Sequence, residues 1–218
     1  LNPKPMIAPD RLTVPGFLKQ HGYHTAAIGK WHIGMGWDVE TDRNGPFSPA
    51  NDAYFESLDE PYADRKATPE ERAQWEEVFS KPLKGGPTAC GFDYFFGVDL
   101  PNWPPFCFVE NDRSVGIPSE WLPTRLLWEA EGIAAGPAMP YWNFEQLLPT
   151  WANKADDYIR ERAQEDEPFF LYLAATSPHT PTAVNPEFQG KSGLNNRYAD
   201  FVIETDDLFG RVLHALEK

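Results

Sequence analysis

Gly22-Tyr23-His24-Thr25-Ala26-Ala27-Ile28-Gly29-Lys30-Trp31-His32 is the stretch that decides the fold. Its first glycine stops a short helix predicted over residues 11–21, whose apolar residues are Leu12, Phe17 and Leu18. His24 to Ile28 is then a brief apolar segment of strand type, and Gly29 opens a polar loop. Helix, glycine, strand and loop in that order are the rhythm of an α/β protein.

The same rhythm returns in the last third. Thr150 to Gln164 carries Trp151, Ala155, Tyr158 and Ile159 on one helical face. Phe169 to Ala174 is an unbroken apolar run, the mark of a strand buried on both faces of a sheet. Ser177-Pro178-His179-Thr180-Pro181 forms the loop after it. A long helix follows over residues 198–217, with Tyr198, Phe201, Val202, Thr205, Phe209, Val212, Leu213 and Leu216 expected toward the core. In open parallel sheets, ligands bind beyond the carboxyl ends of the strands. Two strands that each end in a histidine-bearing loop therefore direct attention to those loops.

Between these regions the chain changes character. Residues 38–87 are polar and acidic and read as a surface insertion, within which Thr68-Pro69-Glu70-Glu71 is a capped helix start. Gly91 to Pro105 is crowded with aromatics, as either a core strand with its turn or the wall of a pocket mouth. The proline-rich turn Pro101-Asn102-Trp103-Pro104-Pro105 makes Asn102 a candidate pocket residue, beside the plainer reading of a structural turn. Residues 121–143 are loop-rich and carry no readable element.

The charge balance narrows the partners. A formal net charge of −14 repels a polyanion over most of the surface, and no basic stripe is present for nucleic acid. No apolar run reaches the roughly 18 residues of a membrane span. An anionic substrate would need positive charge gathered locally against the overall field. Cys90 and Cys107 are the only cysteines, and their spacing leaves open whether they pair. Both ends of the chain read as cut from something longer.

Five histidines are available for chemistry. His21 and His214 fall on helix surfaces and His24 begins a strand, so solvated or structural roles are expected for all three. His32 and His179 stand at strand ends. Taken singly, each reads first as structural, but their matched placement favours a shared site. Lys30 lies two residues before His32, as a surface lysine or as a fixed cation aimed with it at one anionic centre. Trp31 between them would anchor the loop in the core.

These residues carry a family resemblance. Gly22 to Gly34 is similar at every fixed position to the second sulfatase signature, G-Y-x-T-x-x-x-G-K-W-H-x-G. Gly91-Phe92-Asp93-Tyr94-Phe95-Phe96-Gly97 resembles the family's G-F-D-x-F-x-G segment. Pro168 to Leu173, running into the His179 loop, resembles its later strand and histidine loop, and Tyr198, Asp206 and Gly210 fit the helix after it. The resemblance implies an alkaline-phosphatase-like α/β fold, a mostly parallel sheet flanked by helices. It implies hydrolysis of sulfate esters, of sulfated carbohydrates or aryl sulfates. It further implies a formylglycine nucleophile formed in C/S-x-P-x-R, a calcium or magnesium ion, and a periplasmic, secreted or lysosomal setting. By the same resemblance Lys30 would contact sulfate, His32 would take a proton, and His179 would bind sulfate or protonate the leaving alcohol.

No C/S-x-P-x-R occurs among the 218 residues. The family's metal ligands are likewise expected from sequence beyond this chain, which alone is expected to be inactive. Asp156-Asp157 and Asp206-Asp207 are acidic pairs within predicted helices and do not match family ligands. Two other functions fit the same residues: a phosphate- or phosphonate-ester hydrolase of the same superfamily, and a non-catalytic carbohydrate-binding protein using the aromatic loop at Trp103.

Overall fold

The structure is a computed structural model that describes residues 4–38, 65–122, 133 and 135–218. Its centre is a five-stranded sheet. Strands β1 (His24–Lys30), β2 (Tyr94–Val98), β3 (Val109–Glu110), β4 (Arg113–Ser114) and β7 (Phe169–Ala174) lie in the order β4-β3-β2-β1-β7. β1 is parallel to both β2 and β7, while β3 and β4 add a short antiparallel hairpin at one edge. β5 (Glu120–Trp121) and β6 (Pro137–Ala138) make a separate two-stranded sheet within the region where no element is legible in the sequence. The helices are α1 (Val14–Lys19), α2 (Pro69–Phe79), α3 (Leu147–Arg162) and α4 (Arg197–Leu216).

Successive β1 side chains point to opposite faces, as strand geometry requires. Ala26 and Ile28 enter one core with Phe96, Trp151, Ala155, Phe201 and Leu208, under α3 and α4. Ala27 enters the other with Met35, Trp37, Trp75, Phe79 and Phe95. Burying a side chain such as Ile28, 1% exposed, contributes about 1.5–3 kcal/mol. The aromatic stretch after Gly91 is chiefly core: Phe92, Phe95, Phe96 and Phe106 are buried, whereas Trp103 remains partly exposed.

Residues at fixed motif positions hold β1 to β2 at both ends. At the start, Asp93 Oδ2 accepts the Thr25 N–H and the Thr25 hydroxyl, each at 3.0 Å, and Lys19 pairs with the same carboxylate. At the far end Gly29 and Gly97 are direct register partners, and Gly29 also faces Ala174. A Cβ on Gly97 would lie 1.9 Å from the Gly29 carbonyl oxygen, and one on Gly29 would lie 2.1 Å from that of Ala174. Gly29 moreover has φ 111°, a conformation side chains disfavour. Glycine is dictated by space at both positions.

Several expectations hold. The Thr68–Glu71 capping box opens α2 with Pro69 in its first turn. Trp151, Ala155, Tyr158 and Ile159 form the buried face of α3. His24 Nδ1 meets the Tyr158 hydroxyl at 2.9 Å, a structural contact. Of the stretch expected as a surface insertion, residues 39–64 lie outside the described residues, while its later part sends Trp75, Phe79 and Leu83 into the second core. Cys90 and Cys107 are free thiols.

Two expectations are corrected. β7 is half-buried rather than enclosed, and Tyr172 is 48% exposed, because β7 is the outer strand of the described sheet. On α4 the buried residues are Asp200, Phe201, Glu204, Leu208 and Ala215, while Tyr198, Val202, Phe209, Leu213 and Leu216 are exposed. Two acids inside the true buried stripe broke its apolar period. Both have backbone partners that offset part of the cost of burial, although Glu204 Oε1 is left without one among the described residues. Asp200 accepts the N–H groups of Gly190 and Ser192, and Glu204 accepts that of Asn185 at 2.9 Å.

Substituting Gly97→Ala forces the β1–β2 contact apart and is expected to cost about 1–3 kcal/mol, read as a fall in Tm of the intact protein. A Tm equal to wild type would disprove the close approach. Glu204 titrates at about 7 in the folded chain, raised from 4.5 first by burial and further by Glu145 and Asp207. The folded state thus holds its proton longer than the unfolded one, and stability falls as pH rises from 4.5 through about 7. Glu204→Gln should raise Tm at pH 8, with about 2–4 °C gained for each kcal/mol recovered, and leave it nearly unchanged at pH 4. Equal shifts at both pH values would show that its ionisation carries no cost.

Candidate active site

β1 delivers Lys30 as its last residue, at the carboxyl end of the sheet, and β7 releases the chain beside it into the His179 loop. The turn after β1 continues along β2: the Trp31 N–H donates to Val98 O at 2.9 Å and the His32 N–H to Asp99 O at 3.0 Å. Trp31 is part-buried. It meets Phe92 edge to face at 6.2 Å, and its indole N–H donates to Gly34 O at 3.2 Å. The loop is therefore pinned by its central side chain. His32 itself adopts φ 62°, in the left-handed region, and is exposed.

The three basic residues share one electrostatic environment. Burial holds the Lys30 ammonium below the ordinary lysine range, opposed by the charge of Asp99. Partial desolvation lowers His32 as well, exposed though it is, and the positive charges of Lys30 and His179 lower it further. His179 thus lies close enough for its charge to weigh on His32, although the two are far apart in sequence. The His179 Nδ1 sits 2.7 Å from the Thr180 carbonyl. A carbonyl only accepts, so Nδ1 carries the proton and Nε2 is left to exchange one.

Asp99 is the residue that sequence reasoning missed. It follows β2 directly, and its carboxylate accepts the backbone N–H groups of His32 and Gly34. Burial raises it to about 6, against the opposing effect of those N–H groups and of Lys30. Its Oδ1 is buried without a hydrogen-bond partner. The available signal was its place two residues after Gly97, which lies opposite Gly29. Asn102 is half-buried on the turn beyond and makes interactions of its own.

The described residues do not fit a metal centre. No group of three or more His, Cys, Asp or Glu could hold an ion among them. Asp156 pairs with Arg160 along α3, and Asp206 and Asp207 are exposed on α4. Among the described residues, no helix is long and apolar enough to cross a membrane.

Comparison with known proteins agrees with this arrangement. The family model described as Sulfatase matches residues 4–218. An N-acetylgalactosamine-6-O-sulfatase of Bacteroides thetaiotaomicron is 28% identical over 219 residues, covering 94% of this chain and 39% of that protein. The N-acetylgalactosamine-6-sulfatase of Rattus norvegicus is 28% identical over 208 residues, covering 94% and 29%. A solved structure described under metabolism of multiple glycosaminoglycans by Bacteroides thetaiotaomicron superposes with TM-score 0.69 at 23% identity, over 99% of this chain and 44% of its own. A sulfatase structure from Pseudoalteromonas superposes with TM-score 0.58 at 17% identity, over 100% and 37%. The chain thus spans well under half the length of these relatives. With the family model covering nearly its whole length, and with the two strand-end loops brought together, the chain belongs to the sulfatase family.

Proposed function

We propose that the intact protein hydrolyses sulfate esters of carbohydrates, and that this chain supplies the cation and proton-transfer part of its active site. The observation that carries this reading is the convergence of Lys30, His32 and His179 at the carboxyl ends of adjacent parallel strands. In a chain of net charge −14, such a gathering of basic groups needs an anionic partner to justify its cost. Relatives named for N-acetylgalactosamine 6-sulfate make a sulfated amino sugar the favoured substrate class.

The roles follow from charge state and geometry. Lys30, a fixed cation, binds sulfate oxygens and stabilises charge that grows as the ester bond breaks. His32 has a lowered pKa, so its ring is neutral at pH 7 and can accept a proton. His179, oriented by the Thr180 carbonyl, presents Nε2 to the leaving oxygen and donates a proton to it. Neither the metal ligands nor the formylglycine sequence is found among the described residues or the 218-residue sequence, respectively. In this proposal both come from other residues of the intact protein, where the cation would neutralise sulfate and formylglycine would supply the attacking oxygen. A periplasmic, secreted or lysosomal setting belongs to the same proposal.

Lys30→Ala and His32→Ala, each in the intact protein, should lower aryl-sulfate turnover by about 10²- to 10⁴-fold with an unchanged circular dichroism spectrum. Near-normal turnover in either variant would sink the role assigned to that residue. The electrostatics can be read without turnover. The NMR titration of His32 should have its midpoint below the ordinary 6.5, and Lys30→Met should move it upward by removing a like charge. A midpoint that stays put would show that the two side chains do not share a site.

A further inference from the structure

Among 33 acidic residues, Asp99 is the only described carboxylate whose charge bears on Lys30, and none bears on His32. It is also built into the loop that carries both. Its main-chain carbonyl takes the His32 N–H at 3.0 Å, and its carboxylate takes the N–H groups of His32 and Gly34. These contacts fall on and beside His32, the residue at φ 62°. An N–H pair on one carboxylate oxygen explains half of the side chain. The other oxygen, Oδ1, is buried with no partner, which costs about 1–3 kcal/mol where nothing compensates it. Such an expense is sustained where a charge is needed.

We propose that Asp99 is a positioning residue of this site: it holds the Lys30–Gly34 turn in its left-handed course and supplies a counter-charge to Lys30. Lys30 is part-buried, and burial favours its neutral form, which can neither bind sulfate electrostatically nor offset charge on a leaving oxygen. Asp99 opposes that tendency from the side of the β2 loop. Its main-chain carbonyl and its carboxylate are bonded to the backbone of the turn, and its Oδ1 is buried. An acid in front, accessible to the sulfate, would repel it. The aspartate therefore acts through Lys30 and His32 rather than on substrate. This rests on the sulfate-ester reading for its catalytic consequence, but the link between Asp99 and Lys30 can be measured by itself.

Two variants of the intact protein separate the two effects. Asp99→Asn keeps the shape and loses the charge; Asp99→Glu keeps the charge and displaces it from the turn. The reactivity of Lys30 toward acetic anhydride, followed against pH by peptide mass spectrometry, reports the protonation of its amine. Asp99→Asn should make Lys30 reactive at lower pH than wild type, whereas Asp99→Glu should leave that profile in place. Both should lower kcat for an aryl sulfate, by up to about 100-fold for a displacement of order 1 Å, with Tm close to wild type. A wild-type Lys30 profile in Asp99→Asn overturns the counter-charge role, and a wild-type kcat in Asp99→Glu overturns the positioning role. If Asp99→Asn does not fold, the Asp99→Glu arm decides the positioning role and the Lys30 profile of Asp99→Ser decides the counter-charge role. Absence of sulfate-ester turnover by the wild-type protein would instead sink the function proposed above, with the labelling profiles still judging Asp99.

Discussion

The site depends on how closely three strands approach at their carboxyl ends. Gly29 lies between Gly97 and Ala174, and there is no room for a side chain where Gly29 meets either neighbour. Because β1 sits this close to β2, the main chain of Trp31 and His32 can go on bonding to Val98 and Asp99 after the strand has ended. Because it sits this close to β7, the loop carrying His179 leaves the sheet beside the one carrying Lys30 and His32. A single steric constraint thus sets the spacing of groups contributed by three separate stretches of sequence.

Around that frame the energetics divide cleanly. Apolar burial is arranged on the two sheet faces, under α3 and α4 on one side and against α2 on the other. The sheet end is left to charge. There the chain departs from its own acidic balance, gathering Lys30, His32 and His179 with the Asp99 carboxylate bearing on Lys30. Partial desolvation, and then the neighbouring charges of Lys30 and His179, hold His32 below the ordinary histidine range and so favour its neutral ring.

Much of this was legible in sequence where local rules govern. The Thr68–Glu71 cap and the buried face of α3 follow from short-range pattern, and both stand as expected. The motif residues were legible as a resemblance, and the structure gives them physical reasons: Thr25 bonds to Asp93, and Gly29 pairs with Gly97. The failures share another cause. The buried stripe of α4 was misread because Asp200 and Glu204 lie inside it, accepting the N–H groups of Gly190, Ser192 and Asn185. Asp99 was overlooked because one aspartate on a loop looks like any other until its backbone partners are known.

By itself the sequence determined the α/β class and the family, since strand runs, helix caps and fixed glycines express constraints within a few residues of one another. Only the tertiary structure decided that His179 shares an environment with His32, that β7 is an outer strand of the described sheet, and that the part-buried carboxylate of Asp99 bears on Lys30. Those facts depend on strand order and on distances between segments up to about 150 residues apart in the chain. Charge acts through space, and no local pattern encodes the space between two strand ends.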